Sequence, residues 1–146
     1  MTQRDWDNVE VGERLPLFED VLTFTRVASA PAATLDWYPL HHDPEFARAN
    51  GQPGVVLSTV QLMGLVDRVV TDWAGPTTFV RRREIRLLHS VFACDVLFCT
   101  GTVTAKDDRD LRTDARGWVS VDVEVKNADG LLCCAAAITI EIPGTT

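Results

Sequence analysis

The chain has 146 residues, 46% of them hydrophobic and 24% charged, enough for one domain with its own core and too few for two ordinary ones. Its formal net charge of −7, from 14 basic and 21 acidic residues, opposes binding to a phosphate backbone, and no basic stripe is interleaved with aromatics. The apolar runs fall short of the roughly 20 residues a spanning helix needs, and "MTQRDWDNVEVGERL" lacks the apolar segment of a secretory signal, so a cytoplasmic protein is expected, with neither membrane nor nucleic acid as partner.

In chain order, "VLTFTRV" at 21–27 reads as a strand and "ASAPAATL" at 28–35 as a loop or weak helix. The stretch "LDWYPLHHDPEF" at 35–46 holds two of the three histidines and two aspartates. Pro39 disfavours a continuous helix through it, so Asp36 and His41 are expected to meet across a turn. Asp43 can cap a short helix over 44–49, with Pro44 in its first position and Asn50-Gly51 ending it. Residues 58–73, "STVQLMGLVDRVVTDW", carry apolar side chains at 62, 65, 66, 69, 70 and 73, one face of a helix. Ser58 is its predicted N-cap and Gly75-Pro76 its stop.

The second half is predicted to be β. Strands are expected at about 79–90 and 95–105, followed by a charged turn, "KDDRD", at 106–110. In "WVSVDVEVK" the valines at 119, 121, 123 and 125 share one face and polar residues share the other. Asp129-Gly130 then turns the chain into "LLCCAAAITIEI", which places Leu132, Cys134, Ala136, Ile138, Ile140 and Ile142 together. Cys94, Cys99, Cys133 and Cys134 fall in apolar, strand-like runs without metal-ligand spacing and read as buried reduced thiols rather than a zinc site. The fold class is α+β, a single domain over 1–146 with one long helix laid across an antiparallel sheet.

This order and the 35–46 loop resemble the hotdog fold of MaoC-like enoyl-CoA hydratases and dehydratases. The family pattern D-x-N-P-x-H-x-D is matched by "DWYPLHHD" at Asp36, Pro39, His41 and Asp43, and "ARANG" and "LSTVQLMGL" follow as the family's short helix and the start of its long one. "VGERLP" resembles the family's lead-in to its first strand. Tyr38 replaces a common Asn, Thr34-Leu35 a common Ser-Gly, and Ser58-Thr59 the usual His-Gly. "HHD", "GLVDRVVTDWAGP" and the missing His-Gly are similar to the small subunits of heteromeric MaoC-like hydratases that act on a shortened steroid side chain as its CoA thioester.

The resemblance implies hydration of a trans-2-enoyl-CoA to an (R)-3-hydroxyacyl-CoA, with CoA as part of the substrate and no cofactor or metal. Asp36 and His41 would be the acid–base pair, since a carboxylate accepts protons and imidazole does either near neutral pH. By the same resemblance the Thr59 backbone N–H would hold the enolate oxygen, at a helix start where amides lack partners. Trp37, Tyr38 and Ser58 become candidate substrate contacts. Arg81, Arg82 and Arg83, on alternate sides of a strand, either approach CoA phosphates or form a solvated sheet edge. Asp43 reads as a cap, His42 as turned away and His89 as structural. The implied partner is a second hotdog subunit, in a heterodimer or heterotetramer, or a second copy in a homodimer. Two other readings are a non-catalytic partner subunit and, with Asp67 as the mid-helix carboxylate, an acyl-CoA thioesterase.

Overall fold

Residues 58–75 show how local sequence sets the architecture. Ser58 is extended, and its Oγ accepts a hydrogen bond from the Gln61 amide, satisfying a donor in the first turn of α3 (Thr59–Ala74). The helix ends at Gly75, whose φ of 106° is closed to most side chains. Its apolar ladder, Leu62, Leu65, Val66, Val69, Val70 and Trp73, is buried as the spacing predicts.

The computed structural model describes residues 2–108 and 116–144. Its other elements are β1 (Phe18–Val21), α1 (Phe24–Thr34), α2 (Pro44–Ala49), β2 (Phe79–Leu87), β3 (Val96–Asp107), β4 (Arg116–Asn127) and β5 (Leu132–Pro143), with short 3-10 turns at Trp6–Asn8 and Pro39–His41. The strands form one five-stranded antiparallel sheet in the order β1-β3-β4-β5-β2. Val119, Val121, Val123 and Val125 of β4 and Cys134, Ala136, Ile138, Ile140 and Ile142 of β5 are buried in a core cluster shared with α3. At the β4–β5 hairpin Gly130 takes a φ of 77°, and Asn127 Oδ1 accepts from the Asp129 and Leu131 amides. The N-terminal segment fastens the far end of α3, where the Arg4 amide and Gln3 Nε2 both donate to the Ala74 carbonyl.

Four expectations need correction. The strand read at 21–27 stops at Val21, and residues 24–34 are helical. Thr23 caps this helix through the Arg26 amide, and Val27 and Pro31, four apart, are its buried face. β-branched residues and a proline obscured that spacing. Cys94 is exposed in the turn before β3 with a φ of 77°, whereas the other three cysteines are buried. Burial, reinforced by the charges of Asp20 and Cys134, pushes the Cys99 thiol up to about 12. The alternation expected for Arg81–Arg83 is broken by a bulge between Val80 and Arg82. Finally, β2 ends at Leu87, short of the expected 90. The charged turn at 106–110 runs into residues outside those described.

Candidate active site

The dyad is built by short-range backbone geometry. Leu35 ends α1 in the left-handed region, at φ 58° and ψ 27°, and the next amide, that of Asp36, donates to the Pro31 carbonyl at 2.9 Å. Pro39 opens the 3-10 turn that carries His41, and the Asp43 amide returns to the Pro39 carbonyl at 2.8 Å. Asp43 Oδ1 then accepts from the Glu45 and Phe46 amides at 2.9 and 3.0 Å, the geometry of an N-cap for α2.

His41 is held by the segment that leads into α3. Its Nδ1 lies 2.8 Å from the Val56 carbonyl oxygen, while the Val56 amide donates to the Leu40 carbonyl at 2.9 Å. A carbonyl only accepts, so Nδ1 carries the hydrogen and, in the neutral ring, Nε2 presents a lone pair. That Nε2 sits 3.6 Å from Asp36 Oδ2, with the His41 side chain 14% exposed and that of Asp36 40% exposed. Two acceptors at this separation do not bond directly, but one water lying beside the pair can donate to both. Asp36 Oδ1 is approached by the Tyr38 amide at 3.4 Å.

The candidate substrate residues divide into groups. Trp37 and Tyr38 are exposed beside the dyad, Tyr38 edge-on to both His41 and Phe46 with ring centres 6.0 Å apart. The His42 ring meets Trp37 edge-on at 6.4 Å and its Nδ1 is buried. Thr59 occupies the first position of α3, where an amide has no acceptor within the helix. Ser58, by contrast, is fully buried and its hydroxyl serves the cap, so its side chain is a structural element of the helix start.

Each of the three arginines makes an ion pair within the chain. Arg81 pairs with buried Glu141 and lies over the Trp118 ring, Arg82 pairs with Glu84, and Arg83 pairs with Asp67 of α3. That last pair also occupies the carboxylate on which a thioesterase reading would rest. Beyond the dyad, a cleft of about 270 Å³ opens at Thr59, lined by Val56, Leu62, Leu87, Leu88 and His89 among others. Neither the Val56 carbonyl nor this cleft was predicted from the sequence: a backbone acceptor has no signature in residue type, and the cleft joins segments about 30 positions apart.

An antiparallel sheet with one long helix buried against it defines a hotdog protein, and here an Asp–His pair lies on the connection before that helix. Residues 10–126 match the MaoC-like domain family, and the chain belongs to it. It is 33% identical over 120 residues to the 3-oxo-4,17-pregnadiene-20-carboxyl-CoA hydratase beta subunit of Mycobacterium tuberculosis, spanning 82% of this chain and 87% of that one. Among solved structures it is similar to the ChsH1–ChsH2 complex of the same organism, with TM-score 0.80 and 30% identity over 91% of this chain and 98% of that one. The (R)-hydratase of A. caviae involved in PHA biosynthesis has the same fold, with TM-score 0.80 at 20% identity, covering 93% and 98% of the two chains.

Proposed function

We propose that this chain is the dyad-bearing subunit of an enoyl-CoA hydratase that converts a trans-2-enoyl-CoA to the (R)-3-hydroxyacyl-CoA. The observation that carries this reading is the fixed tautomer of His41, which leaves its basic nitrogen 3.6 Å from Asp36 Oδ2, close enough for one water beside the pair to donate to both. That water is held by the carboxylate and the imidazole. Its oxygen bonds to the β-carbon as its proton passes to His41 Nε2, and the double-bond electrons move onto the thioester oxygen as an enolate. The Thr59 N–H stabilises that oxygen at the helix start, where the dipole favours negative charge. The imidazolium, stabilised by Asp36, returns the proton to the α-carbon, so one water is consumed and the pair is restored. General acid–base assistance of this kind contributes about 10²–10⁴-fold. The reaction calls for no metal or redox cofactor.

A bulky, apolar acyl group and a second hotdog chain complete the reading. Leu35, Trp37 and Tyr38, neighbours of the dyad in the chain, are 75%, 62% and 51% exposed and offer apolar side chains to an acyl group. β2 lies at one edge of the sheet, and edges of that kind are normally paired or covered. The likeness to a hydratase beta subunit and to a chain of a two-component complex supports a non-identical mate. The test compares hydration of crotonyl-CoA and of a polycyclic enoyl-CoA by the chain alone and by the complex recovered through a tag on it. Each methylene left unburied forfeits about 0.8 kcal/mol, so the complex should strongly prefer the polycyclic substrate. A homodimer that turns over both equally would remove the partner and the bulky substrate from the account.

A further inference from the structure

Two histidines in this chain have their Nδ1 hydrogen committed to a backbone carbonyl: His41, to Val56, and His89, to Leu132 at 2.8 Å. Read from the sequence as structural, His89 does make a structural bond, but with only one nitrogen. In the neutral ring the opposite nitrogen, Nε2, is left as an acceptor on an exposed side chain. The backbone there is firmly held, because the Leu88 and His89 amides both donate to the Cys133 carbonyl, at 2.9 and 3.2 Å. The ring is therefore a pre-positioned acceptor, not a mobile surface group.

His89 lies on the wall of the cleft that begins at Thr59. The cleft forms because residues 55–57 run antiparallel to 91–93, with the Leu57 amide on the Val91 carbonyl and the Ala93 amide on the Val55 carbonyl, each at 2.8 Å. Its walls mix aliphatic side chains with Thr59, His89 and Ser90, and none of Asp36, Trp37, Tyr38 or His41 lines it. The reacting atoms fix its direction. In an enoyl thioester the β-carbon must meet the dyad and the carbonyl oxygen the Thr59 amide, so the acyl chain extends along the dyad and the sulfur leaves on the other side. A channel that opens at Thr59 and excludes the dyad belongs to the sulfur side. In a CoA ester the sulfur is joined to a pantetheine arm, methylenes interrupted by amide groups, which matches walls that alternate aliphatic side chains with polar ones.

On the strength of the hydratase reading, we infer that the cleft receives the pantetheine arm and that His89 Nε2 accepts a hydrogen bond from one of its amide N–H groups. His89 is thus a binding residue that selects CoA-type thioesters and takes no part in proton transfer. Three variants separate the two faces of the ring. In His89→Asn the side-chain amide replaces Nδ1 toward Leu132 and nothing replaces Nε2. In His89→Gln an amide oxygen reaches the Nε2 position. His89→Phe lacks both. One net hydrogen bond corresponds to about three- to tenfold in affinity. His89→Asn should therefore raise KM for the enoyl-CoA by about that factor with kcat unchanged, and leave the S-ethyl thioester of the same acyl group, which has no amide, unaffected. His89→Gln should recover most of the loss.

Calorimetric binding of octanoyl-CoA, a saturated ester that cannot react, reads the same contact without activity. Weaker binding by His89→Asn than by wild type, at equal melting temperature, supports the assignment even if hydration is never observed. Equal octanoyl-CoA affinity in wild type and His89→Asn overturns it, whatever the hydration assay gives. An equal loss on both thioesters also overturns it, because that marks a purely structural role, as does a wild-type chain that fails to bind octanoyl-CoA.

Discussion

The sheet with α3 and the connection from α1 to Val56 are stabilised by different means. In the first, α3, β4 and β5 interlock through fully buried aliphatic side chains, and register follows from period-two and helical patterns that agree with each other. In the second, the dyad rests on a 3-10 turn, the short helix α2, a left-handed leucine and a handful of backbone hydrogen bonds, with several apolar side chains in solvent. One region is set by side-chain volume and the other by chain direction. Substitutions in the two should accordingly fail in different ways.

The largest effect is expected in the sheet layer. Leu65, 3% exposed on α3, should cost about 2–5 kcal/mol of stability when replaced by alanine, measured by urea unfolding. Hydration per folded molecule should be unchanged, since Leu65 is not among the residues that line the cleft at Thr59. A large loss of rate in the folded variant would mean that the two regions are coupled.

At the junction of the two regions, Thr59→Pro removes one backbone donor with little damage to the helix. Proline is favoured at the first helical position, and Ser58 already has the extended ψ of 146° that a following proline requires. Its cost should appear in the barrier, about 3–4 kcal/mol, with near-normal melting, whereas Thr59→Gly should retain activity. Full rate in a folded Pro variant would assign the enolate contact to another donor.

The smallest effect lies at the end of α1. Leucine in the left-handed region costs about 1–2 kcal/mol, partly offset in glycine by chain entropy. Because the Leu35 side chain is mostly in solvent, Leu35→Gly should stabilise the protein by roughly 1 kcal/mol or less. If that variant also kept its preference for a bulky substrate, Leu35 would not be part of the acyl surface.

The same contrast explains which elements the sequence discloses. α3, β4, β5 and the Asp129-Gly130 turn were legible because burial imposes a period on residue type, and Asp43 because a cap must precede its helix. Asp36 and His41 were legible through their spacing around Pro39. α1 was hidden by valine, threonine and an internal proline, which are statistically poor helix formers yet place Val27 and Pro31 on one buried face. The destinations of Arg81–Arg83 depended on a bulge, and the orientation of His41 on a carbonyl 15 positions away. Backbone acceptors and register slips are tertiary facts with no local residue preference to announce them.

The central claim is that Asp36 and His41 act as one water-activating pair, and loss of the enoyl absorbance tests it most directly. Wild type, Asp36→Asn, His41→Ala and the double variant are compared on the same enoyl-CoA, with melting temperature as the control for folding. Each single variant should fall by at least about 10² in kcat, and the double variant should be little worse than either single one, because groups that act as a unit are non-additive. Near-wild-type turnover by either folded single variant would contradict the account.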